Sequence, residues 1–247
     1  MHVLILGCGY TGERVARRFL DRGASVIATN SKTERFEVAR GALVLHSVPP
    51  EGSRGLVDKL GNAPARVVYL STTGVYGAAR FVDESTAVAP ETEQHRLRLE
   101  EERRVAAGPW SSLILRPAAI YGPGRGVQES LKRGACRVDE NFVSRIHVED
   151  LAAHVEAGLL SGVTGAYPVA DEEPCTSREI AEFCAKLLDL PLPLDEHAKA
   201  YSTSRRVDGS AIRRALGITL RYPSYREGIP ASLYAAPIST SSSPAVK

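Results

Sequence analysis

Three glycines near the amino terminus carry the clearest chemistry in this sequence. Gly7, Gly9 and Gly12 form G-C-G-Y-T-G, with Cys8, Tyr10 and Thr11 between them. Where a strand turns into a helix, the first glycine permits the sharp bend and the second lets backbone approach a pyrophosphate. The third lets the helix lie close on the strand. The free N–H groups and positive dipole end of the helix then face the phosphates. Residues 7–12 are therefore candidate binders of a dinucleotide. At the end of the next strand an acidic side chain would hold the ribose 2′-hydroxyl of NAD, but the chain reads T-N-S-K-T-E-R. Asn30 stands in the acidic place, with Lys32 and Arg35 close behind. Removing a carboxylate and adding two cations favours the 2′-phosphate of NADP, with NAD the alternative.

The elements that must position this turn are legible around it. M-H-V-L-I-L-G is a short apolar run, as expected of a strand covered on both faces. Residues 11–23 place Val15, Ala16, Phe19 and Leu20 on one helical face and Gly23 at its end. A-S-V-I-A-T reads as a second strand, which completes a βαβ unit. Further strands are expected at Ala42–Val48, Arg66–Ser71 and Ser112–Leu115. Helices are expected at Glu93–Ala107, Glu149–Leu160, Ser177–Leu188 and Asp208–Leu216. This alternation predicts an α/β fold with a doubly wound, mostly parallel sheet. The expected boundaries are 1–121 plus 142–170 for a dinucleotide-binding core and 122–141 plus 171–231 for a small substrate lobe. Residues 232–247, polar and low in complexity, read as a disordered tail.

Charge and cysteine usage exclude other classes. With 31 basic and 29 acidic side chains among 247 residues, the formal charge of +2 does not make a nucleic-acid surface. Cys8, Cys136, Cys175 and Cys184 show no metal-ligand spacing. No basic-then-apolar leader opens the chain, and no apolar run approaches the roughly 18 residues of a membrane span. These features point to a reduced, cytoplasmic protein whose partner is a small molecule. A homodimer is compatible with them.

Three further stretches make the pattern specific: Y-L-S-T-T-G-V-Y-G (69–77), L-R-P-A-A-I-Y-G-P-G-R (115–125) and R-I-H-V-E-D-L-A (145–152). With the glycine turn they resemble the extended short-chain dehydrogenase/reductase family, the NAD-dependent epimerase/dehydratase group, over roughly residues 1 to 230. The resemblance implies a Rossmann-like core and an NAD(P)-dependent oxidoreductase, epimerase or dehydratase acting on a small polar, nucleotide-sugar-like substrate. It puts Thr72 at the family's catalytic Ser/Thr. Ser47 and Val48 fall in a loop lining the cofactor, and Pro117 in a segment passing the nicotinamide. His147 falls at a strand–helix joint and reads as structural. Two departures stand out. Between Asn30 and Arg66 a strand and its helix are missing. Where the family has Tyr-x-x-x-Lys, anchoring on Glu100 puts Thr92 at the Tyr position and Arg96 at the Lys position, in T-E-Q-H-R. A threonine is too weak an acid to replace the phenol. His95, Tyr76 and Tyr121 are the substitutes within the sequence, and spacing selects none of them. A non-catalytic NADP-binding sensor or partner-binding protein is the alternative function.

Overall fold

The computed structural model describes residues 1–30, 33, 35–53, 55–193 and 204–234. Its centre is built by a strand–helix–strand unit: β1 (His2–Leu6), α1 (Gly12–Asp21) and β2 (Ser25–Thr29). Gly23, with φ +74°, ends α1, and its N–H reaches Leu20 O at 2.8 Å. The chain then crosses to the other side of β1 as β3 (Ala42–His46). The short α2 (Pro50–Ser53), β4 (Pro64–Leu70), the two-residue β5 (Phe81–Val82), α3 (Glu93–Ala106) and β6 (Ser111–Pro117) follow. After them come β7 (Ala119–Tyr121), α4 (Val127–Lys132), β8 (Phe142–Val143), β9 (Arg145–His147), α5 (Val148–Leu160) and β10 (Gly165–Val169). The last elements are β11 (Cys175–Thr176), α6 (Ser177–Leu188), β12 (Arg206–Val207), α7 (Ser210–Leu216) and α8 (Tyr225–Tyr234).

The main sheet is six-stranded and parallel, in the order β10-β6-β4-β3-β1-β2. Alternation along the strands feeds two cores. Val3, Ile5, Val68, Leu70, Leu113 and Leu115 meet α1 and α5 on one face. Leu4, Leu6, Val44, Tyr69 and Ile114 meet Val105 of α3 on the other. An ionic ladder also joins α1 to α5. Arg14 reaches Glu149 at 2.9 Å, and Arg18 and Arg22 reach Glu156 at 3.0 and 2.5 Å.

The missing unit is visible as an edge. Among the described residues, Asn30 to Gly41 carry no strand or helix, so β2 closes the sheet. Phe36, Val38 and Ala39 pack on Leu4, Ala42 and Val44, where a covering helix would lie. They leave Ile27 of β2 43% exposed.

A separate apolar cluster around Tyr121, Cys136, Cys175, Ile180, Cys184 and Ile229 joins α4, α6 and α8. α7 falls within the range expected of the lobe, and its Ile212 and Leu216, with Ile218 and Leu220 after it, pack on the sheet core. α8 runs to Tyr234, three residues into the stretch expected to be tail, and Ser232 is buried in it. The remainder of that stretch lies outside the described residues. No helix among the described residues is long and apolar enough to cross a membrane.

Candidate active-site cleft

The carboxyl ends of the parallel strands bring most of the expected site residues into one line. Pro117 ends β6, Ser71 and Thr72 follow β4, Ser47 follows β3, Gly7 follows β1 and Asn30 follows β2. Neighbouring strands lie about 4.8 Å apart, so the row from Pro117 to Gly7 spans about 14 Å. The chain switches direction between β1 and β3, the place where open α/β sheets form a ligand crevice.

The glycine turn is built by steric need. Gly7 has φ +87°, and a Cβ there would stand 3.0 Å from Val48. A Cβ on Gly12 would stand 2.7 Å from Gly7 O. Above Gly9 there is nothing within 4 Å of that position, so backbone is open to an approaching ligand. The Ser47 hydroxyl fixes the turn by donating to Leu6 O and Gly7 O at 3.1 and 2.8 Å. Thr11 is buried at the start of α1, and the Tyr10 hydroxyl donates to Pro123 O at 3.1 Å. An open backbone cradle at a helix start, with no side chain filling it, fits a dinucleotide pyrophosphate. On the adenosine side, Asn30 and Arg35 are exposed, and Lys32 lies outside the described residues.

At the carboxyl ends of β4 and β6 lies a cleft of about 480 Å³, lined by Ser71, Thr72, Gly74, Arg98, Pro117 and Arg205 among others. Among the described residues the lining contains no Asp or Glu. The Thr72 oxygen accepts from Gly74 N at 3.1 Å, which leaves its O–H to donate. Arg98 donates to Leu70 O at 3.1 Å and to the Tyr69 hydroxyl at 3.3 Å. Arg205 donates to Thr73 O, Gly77 O and Ala79 O and so holds the Thr72 loop. The His95 ring lies against Gly74. Burial, then the cations of Arg205 and Arg98, hold its pKa below the ordinary value, with Glu91 opposing.

Two expected site residues are elsewhere. Thr92 is exposed and caps α3, accepting from His95 N at 3.2 Å. Arg96 has a side chain 54% exposed, 3.5 Å from Glu93, and donates to Glu91 O at 2.9 Å. The cause is helical register. Buried Glu102 forms a two-pronged pair with Arg116 of β6, at 3.0 and 2.6 Å, and Arg116 also donates to Tyr76 at 3.1 Å. This pair fixes α3 against the sheet. Stepping back along the face through Val105 and Glu102 reaches Arg98 and His95. Arg96, two residues from Arg98, points about 200° away. Glu102 therefore faces the sheet, and Glu100 is exposed.

Comparison with known proteins agrees with this architecture. No protein-family model matches the chain. It is similar to a conserved protein of unknown function from Silicibacter pomeroyi, with a TM-score of 0.81 and 29% identity over 94% of this chain and 98% of that one. It is also similar to a proposed NAD-dependent epimerase/dehydratase from Methylobacillus flagellatus, with a TM-score of 0.73 and 24% identity over 94% and 97%. The fold is that of the extended short-chain dehydrogenase/reductases. Among curated proteins, a 3-diazoavenalumate denitrifying reductase from Streptomyces is 28% identical over 151 residues, 53% of this chain. The match spans 50% of that relative's length.

Within this extended short-chain dehydrogenase/reductase fold, sequence reading missed Arg98, Arg205 and the placement of His95. The signal for two of them was present: Val105, Glu102, Arg98 and His95 recur at spacings of three and four. Arg205, far along the chain, had no local signal. Of the three substitutes for the phenol, Tyr76 is buried on Arg116. Tyr121 is buried and donates to Ser224 O at 3.1 Å. His147, read as structural, caps α5 through Glu149 N at 3.2 Å and meets Ser232 at 3.1 Å. Burial, with Arg14 and Arg221, pushes its pKa down to about 3, so the ring is neutral.

Proposed function

We propose that this chain is an NAD(P)-dependent oxidoreductase that prefers NADP and acts on a small polar substrate with a hydroxyl or carbonyl group. The observation that carries the reading is the row from the glycine turn to Thr72 and Pro117, ending in a cleft beside Arg98 and His95. The Gly7–Gly12 turn would hold the pyrophosphate, with Ser47 and Val48 behind it. Asn30 and Arg35 would face the adenosine ribose. The absence of an acid at Asn30 supports NADP.

When bound, the nicotinamide supplies or accepts the hydride. The chain's own residues do the rest. Thr72 donates its free O–H to the substrate oxygen. Arg98 holds a ribose hydroxyl and adds positive potential where negative charge develops on that oxygen. His95, neutral at pH 7 because its pKa is lowered, accepts the proton of a substrate alcohol, or returns it in the reverse direction. A nucleotide sugar is one candidate substrate, supported by the fold. A carbonyl compound outside that class is another, and the reductase similarity favours it. A non-catalytic NADP sensor remains the second reading, favoured by one observation: Tyr69, Tyr76 and Tyr121 all have their hydroxyls engaged and buried.

Titration with NADPH and NADH, followed by nicotinamide fluorescence, tests the cofactor half. Tighter NADPH is the expected result, and binding of neither sinks the proposal. Turnover of NADPH across a carbonyl panel separates enzyme from sensor. An enzyme loses about 10²–10⁴ in rate on His95→Gln without losing cofactor affinity. A sensor shows no turnover with any member.

A further inference from the structure

The residue in front of the Ser47–Val48 loop is a fully buried histidine. His46 ends β3 and lies in register with Tyr69 of β4, ring against ring at 4.8 Å. Both of its ring nitrogens are engaged. Nδ1 meets Val48 N–H at 3.4 Å, and Nε2 lies 2.9 Å from an oxygen of Glu101, a buried carboxylate of α3. A backbone N–H can only donate, so Nδ1 carries no proton and Nε2 carries one. His46 is thereby held as the neutral Nε2–H tautomer, which donates to Glu101. Glu101 serves it as an acceptor, and α3 reaches the β3 loop through this one ring.

Val48 is the partner that matters for the site. Its N and Cγ2 both lie 3.0 Å from where a Cβ on Gly7 would stand, so it closes the back of the glycine turn. Under the ring, the Tyr69 hydroxyl accepts from Arg98 of the cleft at 3.3 Å. One imidazole therefore touches the supports of both the turn and the cleft cation. We propose that His46 is a positioning residue for the cofactor: its Nδ1 sets the Val48 backbone behind the pyrophosphate turn, and Glu101 fixes the tautomer that can do so. The proposal rests on the oxidoreductase reading for the identity of the ligand at that turn.

NADPH titration and urea unfolding of His46→Asn, His46→Gln and Glu101→Gln test this. The Asn amide oxygen takes the place of Nδ1 and keeps the acceptor for Val48, but leaves the buried Glu101 without its donor. The Gln amide nitrogen takes the place of Nε2 and keeps the donor to Glu101, but leaves Val48 N–H unpaired. The two variants should therefore rank in opposite orders. His46→Asn should be the less stable of the two and the tighter binder of NADPH. His46→Gln should be the more stable and weaken NADPH by roughly two- to tenfold, the worth of one hydrogen bond. Glu101→Gln, which keeps a carbonyl acceptor for Nε2–H, should weaken it less than His46→Gln does. Affinity that follows stability across the variants, or parent-like binding by His46→Gln, would overturn the role and leave His46 a core residue. Should His46→Asn fail to fold, His46→Gln against Glu101→Gln decides alone, and equal losses overturn the proposal. A parent that binds no NADPH removes the oxidoreductase reading together with this one. A parent that binds, with His46→Gln unaffected, removes only the role of His46.

Discussion

The two sides of the candidate site hold their groups by opposite means. On the β1 side the wall is bare backbone, shaped by the lack of side chains at Gly7, Gly9 and Gly12 and pinned by two hydroxyls, Ser47 and Thr29. On the α3 side the wall is placed by buried charge. Glu102 clasps Arg116, and Glu101 accepts from His46 at 2.9 Å while the other His46 nitrogen takes Val48 N at 3.4 Å. A backbone wall is specified within a few residues. A charge-built wall is specified by partners far along the chain, and its helix can be correctly foreseen while its facing is not. The α3 pairs also reach across: His46 ties α3 to the loop that supports the glycine turn.

The largest effect expected from breaking this asymmetry is at Glu102. Glu102→Gln leaves the Arg116 charge buried without a counter-ion and should destabilise the protein by about 3–5 kcal/mol in urea unfolding. Asp171 sharpens the contrast, because it is a buried acid whose oxygens have no hydrogen-bond partner. Burial pushes its pKa up to about 8, with Arg145 opposing. The folded pKa lies above the unfolded one, so this contribution is full below about pH 4 and is lost as pH rises towards 8. Asp171→Asn should flatten that decline and add about 2–4 kcal/mol near pH 9, read as a higher Tm.

Within the backbone wall, two alanines should separate fold from ligand. Gly12→Ala drives a Cβ against Gly7 O and should destabilise by about 1–3 kcal/mol. Gly9→Ala meets open space, so stability should stay within about 0.5 kcal/mol while NADPH affinity falls. Unchanged affinity in Gly9→Ala would remove the pyrophosphate from this turn.

What the sequence revealed follows the same division. The glycine turn, β1, α1 and β2 were legible because sterics and periodicity act locally. β10 was not read as a strand because it contains Pro168. It lies at the sheet edge, where a missing N–H is tolerated. α8 was hidden by Gly228 and Pro230, two poor helix formers held in place by burial of Tyr225 and Ile229. α3 was found almost to the residue, but Glu100, Glu101 and Glu102 are chemically identical in sequence. Only the positions of His46 and Arg116 say that Glu101 and Glu102, and not Glu100, face the sheet.

The central claim is therefore one of facing: Arg98, and not Arg96, looks into the cleft where the proposed cofactor would bind. Equilibrium NADPH binding to Arg98→Met and Arg96→Met tests it directly, with Thr92→Ala as a control that should lose about 1 kcal/mol of stability and no affinity. Arg98→Met should weaken NADPH by about tenfold or more, as expected for a lost charged hydrogen bond, while Arg96→Met binds like the parent. Weaker binding in Arg96→Met with an unaffected Arg98→Met would contradict the account.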